Sequence, residues 1–324
     1  MCQPAMREAS LTEQENSAEA ELDEILDGLS CSQKTLLPKF FYDARGSILF
    51  DAICELPEYY LTRTELSIMQ MTIDEIATLV GPQASLIEFG SGSSLKTRML
   101  LEKLDRLAAY VPVDISREHL LSAAESLAAD YPAVEVLPLL ADFMQPFELP
   151  NPNVMPLRNI VYFPGSTIGN YSPEKAHSLL QVMHVEAGKD GALLIGVDLQ
   201  KDTAIIERAY NDKAGVTAEF NLNMLSRINH DFGANFDLNL FRHSAIYNDE
   251  YGRVELNLVS ECEQTVLIGG RSIHFDKGEA LLTEHSHKYT LEQFSGMADR
   301  AGFVVHKVWT DPEQLFSIQY CLRV

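Results

Sequence analysis

The segment LIEFGSGSSLKT, residues 86–97, joins a short apolar run to the start of a predicted helix. Its turn contains Glu88, Gly90, Ser91 and Gly92. A glycine-rich turn between a strand and a helix lets a ligand approach the backbone and directs helix N–H groups toward it. A purely structural tight turn would need the same residues, so the G-x-G spacing alone does not decide between the two interpretations.

Acidic side chains at the ends of the next two predicted strands favour the ligand-binding interpretation. Asp114 ends the strand in AAYVPVDI, where an acid can hold ribose hydroxyls. Asp142 and Phe143 end the strand in LLADF, where an acid and an aromatic ring can hold an adenine. Suitable chemistry at three successive strand ends predicts a nucleoside site.

The turn favours S-adenosylmethionine over a dinucleotide. The third glycine of the dinucleotide fingerprint is absent, because two serines follow Gly92. Glu88 suits a cationic amino-acid tail better than a pyrophosphate. Lys96 either meets the carboxylate of that tail or is merely solvated, and both alternatives stay open. A dinucleotide oxidoreductase is a more distant alternative that a test of NAD binding would exclude.

The pattern around this turn predicts an α/β fold. From about residue 66, apolar runs of strand length alternate with helical segments, which is typical of a doubly wound parallel sheet. The last two runs, FVVHKVWTD and FSIQYCLRV, have a short link and predict a terminal antiparallel pair. Such a pair is usual in class I, Rossmann-like methyltransferase domains.

The remaining segments predict a second, discontinuous α+β lobe. We expect a disordered tail over residues 1–20, a substrate-binding lobe from 21–64 and 201–284, and a methyltransferase core from 65–200 and 285–324.

Composition indicates a protein that acts on a small molecule. The chain has 324 residues and a formal net charge of −22, which disfavours nucleic acid and membrane surfaces as partners. The five cysteines are scattered, and neither a signal peptide nor a membrane-spanning run is evident. We expect a cytoplasmic monomer without a metal, although His285 and His287 have the spacing of two ligands on one strand face.

The segment FPGSTIGNY, residues 163–171, follows the predicted strand NIVYF. Its small and polar residues indicate either a tight turn or a binding site at the end of the strand.

Long blocks of uncommon sequence identify a family. The chain closely resembles the histidine-specific Nα-methyltransferases of ergothioneine biosynthesis, which convert histidine to its trimethylammonium betaine, hercynine. The resemblance runs from about residue 36 and is carried by PKFFYDARGSILFDAICELPEYYLTRTE, EFGSGSSLKTRMLL, GSTIGN, DLQKDTAIIERAYNDKAGVTAEFN, LLTEHSHKY and WTDP.

This resemblance implies roles for individual residues. Gly90, Lys96, Asp114 and Asp142 resemble the donor-binding positions. The implied substrate-binding residues are Tyr59, Asn170 and Tyr210 at the amino and carboxylate groups, Glu284 and Ser286 at the imidazole, and Tyr42, Phe50 and Thr217 along the pocket. Leu256 stands where mycobacterial members are expected to have methionine, which has a similar volume. A relaxed choice of aromatic amino acid therefore stays open.

Methyl transfer from a sulfonium needs alignment of the reactants more than a metal or a nucleophilic side chain. Asn170, Tyr59 and Tyr42 are the residues that we expect to act closest to the reaction. Aromatic faces suit a quaternary ammonium product, and Glu284 and Ser286 share a strand face toward the imidazole. The predicted function is Nα-trimethylation of L-histidine. The alternatives are methylation of tryptophan or tyrosine, or a catalytically silent protein that binds S-adenosylmethionine.

Overall fold

A computed structural model describes residues 11–91 and 95–324. The chain divides into two compact units. The first contains the described part of Met1–Ile53 with Tyr210–Ile246 and Glu255–Glu284, and the second contains Cys54–Ala209, Tyr247–Val254 and His285–Val324.

The helices alternate with strands over most of the second unit. In chain order the helices are α1 (Leu11–Ser30), α2 (Ala44–Cys54), α3 (Tyr60–Val80), α4 (Leu95–Lys103), α5 (Arg117–Asp130), α6 (Pro173–Ala187), α7 (Thr203–Tyr210), α8 (Val216–Phe232) and α9 (Leu291–Arg300). The strands are β1 (Ala84–Phe89), β2 (Ala109–Asp114), β3 (Leu139–Leu140), β4 (Arg158–Phe163), β5 (Ala192–Asp198), β6 (Phe241–Asn248), β7 (Arg253–Ser260), β8 (Gln264–Ile268), β9 (Arg271–Phe275), β10 (Ala280–His287), β11 (Phe303–Thr310) and β12 (Phe316–Arg323).

The second unit is built on a seven-stranded sheet. Its order is β11-β12-β5-β4-β1-β2-β3. The first five strands in the chain pair in parallel, whereas β12 lies antiparallel to both β5 and β11. The predicted fold class, a doubly wound sheet with a terminal antiparallel pair, is confirmed.

Helices cover both faces of this sheet, as the strand pattern requires. Alternate strand residues such as Ile87, Val161 and Ile195 form one buried cluster with the apolar sides of α6 and α9. On the opposite face, the Tyr162 hydroxyl lies 3.6 Å from the Met69 sulfur of α3. Strands with helices on both sides read as continuous apolar runs, which is why the sequence located them.

The third strand is much shorter than predicted. The segment VEVLPLLADF was expected to be one strand, but β3 contains only Leu139 and Leu140, and Val136 forms an isolated bridge with Tyr110. Pro138 stands between these two contacts and has no N–H to donate to the ladder. Prolines are tolerated on edge strands such as β3, and the pairing is interrupted there.

Helix ends follow local capping chemistry. Thr290 and Gln293 form a reciprocal capping box at the start of α9. Ser172 caps α6, which has Pro173 at its first position and is followed by the C-cap Gly188, with φ of 64°.

The first unit has its own core. The rings of Phe41 and Phe220 stack with centroids 4.6 Å apart, and Ile25 and Leu29 of α1 are buried. Strands β8 and β9 form an antiparallel hairpin, and β10, β7 and β6 form a three-stranded sheet, most of whose residues belong to this unit.

The observed boundaries differ from the predicted ones. Helix α1 starts at Leu11, so the described part of the predicted tail is helical, and residues 1–10 lie outside the described residues. Three stretches that we expected in the substrate lobe, 54–64, 201–209 and 247–254, belong to the second unit. The substrate-binding role of the first unit stays a prediction. Within the described ranges, no helix is long and apolar enough to cross a membrane.

Candidate active site

The glycine-rich turn follows β1 directly. Gly90 has φ of 73°, a backbone conformation that residues with a side chain rarely adopt. Its N–H donates to the Val113 carbonyl at 2.9 Å. Ser91 is 3% exposed, and its hydroxyl has no hydrogen-bond partner among the residues that the structure describes. Gly92, also predicted to bind the donor, lies outside those residues. A buried, unsatisfied hydroxyl beside a glycine turn fits a site for a polar ligand.

Glu88 links this turn to its neighbours. Its carboxylate is buried and accepts hydrogen bonds from the Thr97 hydroxyl, at 2.9 and 2.8 Å, and from the Tyr110 hydroxyl. Burial raises the pKa of Glu88 to about 7, against the lowering effect of these hydrogen bonds. The carboxylate thereby ties the first turn of α4 to β2. Its predicted contact with the donor stays a prediction.

Sequence reasoning missed Glu65, which pairs with Lys96. The Glu65 carboxylate is 1% exposed, forms an ion pair with Lys96 and accepts the Gly165 N–H at 3.0 Å. A β-carbon on Gly196 would lie 2.2 Å from a Glu65 oxygen, so only glycine leaves room for this side chain. Lys96 is therefore held in place rather than merely solvated. Glu65 lies 100 positions from Gly165 in the chain, and no local pattern indicates their contact.

The remaining predicted donor residues lie at the same edge of the sheet. Asp114 ends β2, and one of its oxygens accepts the Ser116 N–H at 2.8 Å. Asp142 follows β3 and accepts the Met144 N–H at 2.9 Å, while the Phe143 ring packs 5.4 Å from that of Phe89. The structure therefore brings the described members of the donor set to the carboxyl ends of β1, β2 and β3.

The turn after β4 completes this carboxyl edge. Strand order reverses between β1 and β4, and ligands of doubly wound sheets bind at such a switch point. Ser166 has φ of 57°, and its hydroxyl accepts the Asp198 N–H at 2.9 Å. A β-carbon on Gly169 would lie 2.7 Å from the His287 carbonyl oxygen.

His287 fixes the same turn from the other side. Its Nδ1 lies 2.8 Å from the Gly169 carbonyl, which can only accept, so Nδ1 carries the proton. Burial lowers the pKa of this imidazole, which favours its neutral form. The backbone that presents Asn170 is thus held by Ser166, Gly169 and His287. His287, one of the two histidines of the H-x-H pair, therefore has a structural role.

A buried ionic cluster stands behind this turn, and sequence reasoning missed it as well. Asp198, at the end of β5, accepts hydrogen bonds from Tyr60 at 2.8 Å, Lys201 at 2.5 Å and Lys288 at 2.7 Å. The side chains of Asp198 and Lys288 are fully buried, and that of Lys201 is 6% exposed. The Lys201 ammonium also lies 4.3 Å from the centroid of the Tyr60 ring.

The two lysines share one carboxylate, and this arrangement sets the charges. Burial alone would raise the pKa of Asp198, but Lys288 and Lys201 lower it below its usual value. Burial lowers the pKa of Lys201 to about 8, although Asp198 opposes the shift. Asp198 is therefore ionised at neutral pH.

Other predicted substrate residues belong to the first unit. The rings of Tyr42 and Phe50 lie 5.8 Å apart, and each packs about as closely on Phe220. The Tyr210 carbonyl accepts a hydrogen bond from His243 Nε2 at 2.9 Å. Thr217 and Leu256 are buried, and Glu284 is partly exposed on β10. Tyr59, Asn170 and Ser286 belong to the second unit.

Comparison with known proteins identifies the family of the chain. Residues 21–323 match the model of a family described as histidine-specific, S-adenosylmethionine-dependent methyltransferases. A histidine N-alpha-methyltransferase of Mycolicibacterium smegmatis is 38% identical over 95% of this chain and 97% of its own. Ergothioneine biosynthesis protein 1 of Neurospora crassa is 32% identical over 83% of this chain and 31% of its own. An L-tryptophan methyltransferase of Psilocybe serbica, trpM, is 27% identical over 92% and 90%.

The family match, together with the sheet order, defines an S-adenosylmethionine-dependent methyltransferase. The chain belongs to the histidine-specific methyltransferase family, as the sequence predicted.

Proposed function

We propose that the protein transfers three methyl groups from S-adenosylmethionine to the α-amino group of L-histidine and forms hercynine, the first step of ergothioneine biosynthesis. The main support for this reaction is the family match over residues 21–323. Each transfer converts the sulfonium of one donor to a thioether and releases one proton from the amine. The protein is further proposed to be a monomer and to be cytoplasmic. The scattered cysteines are in keeping with the cytoplasmic location.

In the proposal, the carboxyl edge of the sheet supplies the groups that a bound donor needs. S-adenosylmethionine carries the electrophilic methyl group. In the proposal, Asp114 accepts from the ribose hydroxyls, and Asp142 and Phe143 hold the adenine. Gly90 and Ser91, together with Gly92, contact the amino-acid tail, whose amine and carboxylate are matched by Glu88 and Lys96. The support is the unsatisfied Ser91 hydroxyl and the position of both acids at this edge.

Orientation of the substrate amine is the main task assigned to the protein. Well-aligned reactants gain up to about 7–11 kcal/mol relative to free encounter. The proposal assigns this alignment to Asn170, Tyr59 and Tyr210, and the fixed turn before Asn170 supports it. The Tyr42 and Phe50 rings supply aromatic faces for the methylated ammonium, each worth about 0.5–2 kcal/mol.

A substrate panel tests the reaction. Purified protein is incubated with S-adenosylmethionine and with histidine, tryptophan, tyrosine or phenylalanine, and the products are identified by mass spectrometry. A product that carries three added methyl groups and forms from histidine alone is expected. Methylation of another amino acid instead would overturn the substrate assignment. Donor binding without any methylation would favour a silent binding protein.

Glu284 provides a sharper test of imidazole recognition. Glu284→Ala should raise the KM for histidine by about tenfold or more, because the ring N–H loses a charged acceptor. The donor Kd, measured by titration, should change by less than about twofold. Glu284→Gln is the matched control, since it keeps an acceptor and should lose less. Equal weakening of histidine and donor would contradict the assigned role.

A relaxed preference is the second candidate. The Psilocybe serbica relative is named for tryptophan, and Leu256 replaces the methionine expected in mycobacterial members. In the panel, this alternative predicts methylation of tryptophan at a rate comparable to that of histidine.

A further inference from the structure

We propose that Lys288 is a positioning residue that fixes the direction of the Ser286 hydrogen bond and thereby selects the neutral imidazole of histidine over the imidazolium. This inference rests on the proposed function, in which Ser286 contacts the substrate ring.

The contact that carries it is short and buried. Lys288 Nζ lies 2.9 Å from Ser286 Oγ and 2.7 Å from Asp198 Oδ2. The Lys288 side chain is 0% exposed, and Ser286 is 4% exposed. At this depth the Lys288 ammonium has a carboxylate and a hydroxyl within hydrogen-bond distance, the pairing that a buried charge requires.

Chemistry fixes the direction of the hydrogen bond between them. An ammonium has three donors and no acceptor, so Ser286 Oγ must accept from Lys288. The proton of the hydroxyl is thereby directed to a different acceptor. Without this lysine, a serine hydroxyl is able to donate or to accept.

A donating serine distinguishes the two forms of the ring. Neutral imidazole has one N–H and one acceptor nitrogen, whereas imidazolium has two N–H groups and no acceptor. Glu284 lies two residues before Ser286 on β10, so the strand period predicts both on one face. Glu284 then accepts from the N–H, and Ser286 donates to the other nitrogen. Imidazolium would instead direct an N–H at a donor that is backed by a positive charge.

Several other groups face Lys288 and set the pH range of the test. Burial raises the pKa of Tyr289 to about 12 and also raises that of Tyr247, so neither phenol titrates in the range of the test. His287 has a lowered pKa through burial, and Lys201 has a pKa of about 8. The groups that interact with Lys288 include Asp198 on β5, Lys201 after it, Tyr247 on β6, and Ser286, His287 and Tyr289 on its own segment. Tyr60 on α3 donates to the same Asp198 carboxylate.

The test uses hercynine as the ligand, because its amine does not titrate. Its Kd is measured by calorimetry with S-adenosylhomocysteine present, between pH 5.5 and 7.5. With an imidazole pKa of about 6.5, selection of the neutral ring predicts a Kd about tenfold higher at pH 5.5 than at pH 7.5. Lys288→Met should raise the Kd for hercynine by about tenfold at pH 7.5. The Kd of this variant should then change by less than about twofold between pH 5.5 and 7.5.

Two variants separate positioning from a general structural effect. Lys201→Met removes the other ammonium on Asp198 but leaves the Lys288–Ser286 contact, so its pH dependence should keep the wild-type form. In a Ser286→Ala background, Lys288→Met should add less than about twofold to the loss at pH 7.5, because the hydroxyl that it directs is gone. Binding of S-adenosylhomocysteine verifies that each variant is folded.

The outcomes are distinguishable. The inference is overturned if the wild-type Kd for hercynine does not depend on pH, or if the Kd of Lys288→Met depends on pH as the wild-type Kd does. In either case, binding of hercynine leaves the proposed function intact. Wild-type protein that neither binds hercynine nor methylates histidine contradicts the proposed function itself. If Lys288→Met fails to bind S-adenosylhomocysteine, the wild-type curve alone decides, since a pH-independent Kd still overturns the inference.

Discussion

Asn170→Ala is expected to lower kcat for histidine methylation by about 100-fold or more and to leave the donor Kd within about threefold. The side chain follows a turn whose backbone is fixed by Ser166 and His287. Asn170 is only partly buried, so its truncation removes little core packing. Loss of one orienting hydrogen bond misaligns the amine, and small misplacements of reacting groups cost about 10²-fold. Single-turnover hercynine formation measures the effect.

Thr167→Ala is the matched control in the same turn. Thr167 donates to the Pro164 carbonyl at 3.0 Å and has no assigned substrate contact. Loss of this hydrogen bond should lower the free energy of unfolding by about 1 kcal/mol and change kcat by less than about threefold. Near-normal hercynine formation by Asn170→Ala would refute the orienting role. Equal damage by Thr167→Ala would show that the turn, rather than the amide, is what matters.

The sequence predicted the second unit because its strands are buried on both faces. Runs such as NIVYF and GALLIGVDL correspond to β4 and β5. They are too apolar for strands with one face exposed to solvent. The prediction was wrong over β3, where an edge strand with Pro138 has weaker constraints on its length. Boundaries of the first unit were also missed, since strand and helix patterns do not reveal where compact units divide.

Long-range polar contacts were beyond sequence reasoning for a different reason. Charged residues usually lie at the surface, so Glu65, Asp198 and Lys288 carry no sign of burial in the sequence. Their partners are distant in the chain. Lys288 and Asp198 meet because the segment after β10 runs beside the end of β5, where the Tyr289 N–H donates to the Asp198 carbonyl. The donor residues were easier to find, because strand ends of a parallel sheet meet at one edge.

The second large effect is expected at Asp198. Asp198→Asn should lower the free energy of unfolding at pH 7 by about 3–5 kcal/mol, because two buried ammonium groups lose their shared carboxylate. Denaturant unfolding followed by the fluorescence of Trp309, the single tryptophan, measures the loss. Adding Lys288→Met should restore part of it, since one uncompensated charge is removed. A loss below about 1 kcal/mol would contradict the ionic account of the cluster.

The pH dependence of this loss supplies a second criterion. In the wild type, the lowered pKa of Asp198 stabilises the fold above the unfolded carboxyl pKa, and the effect disappears as pH falls through the folded value. Lys201 also makes stability rise with pH, because its folded pKa of about 8 lies below the unfolded 10.5, so the cost of burying its charge is relieved as pH rises from the folded toward the unfolded value. Removing the carboxylate lowers the Lys201 pKa further. The stability of Asp198→Asn should therefore rise more steeply than that of the wild type between pH 7 and 9, and the difference between the two proteins should narrow. A difference that stays constant over this range would indicate that lost packing, rather than uncompensated charge, destabilises the variant.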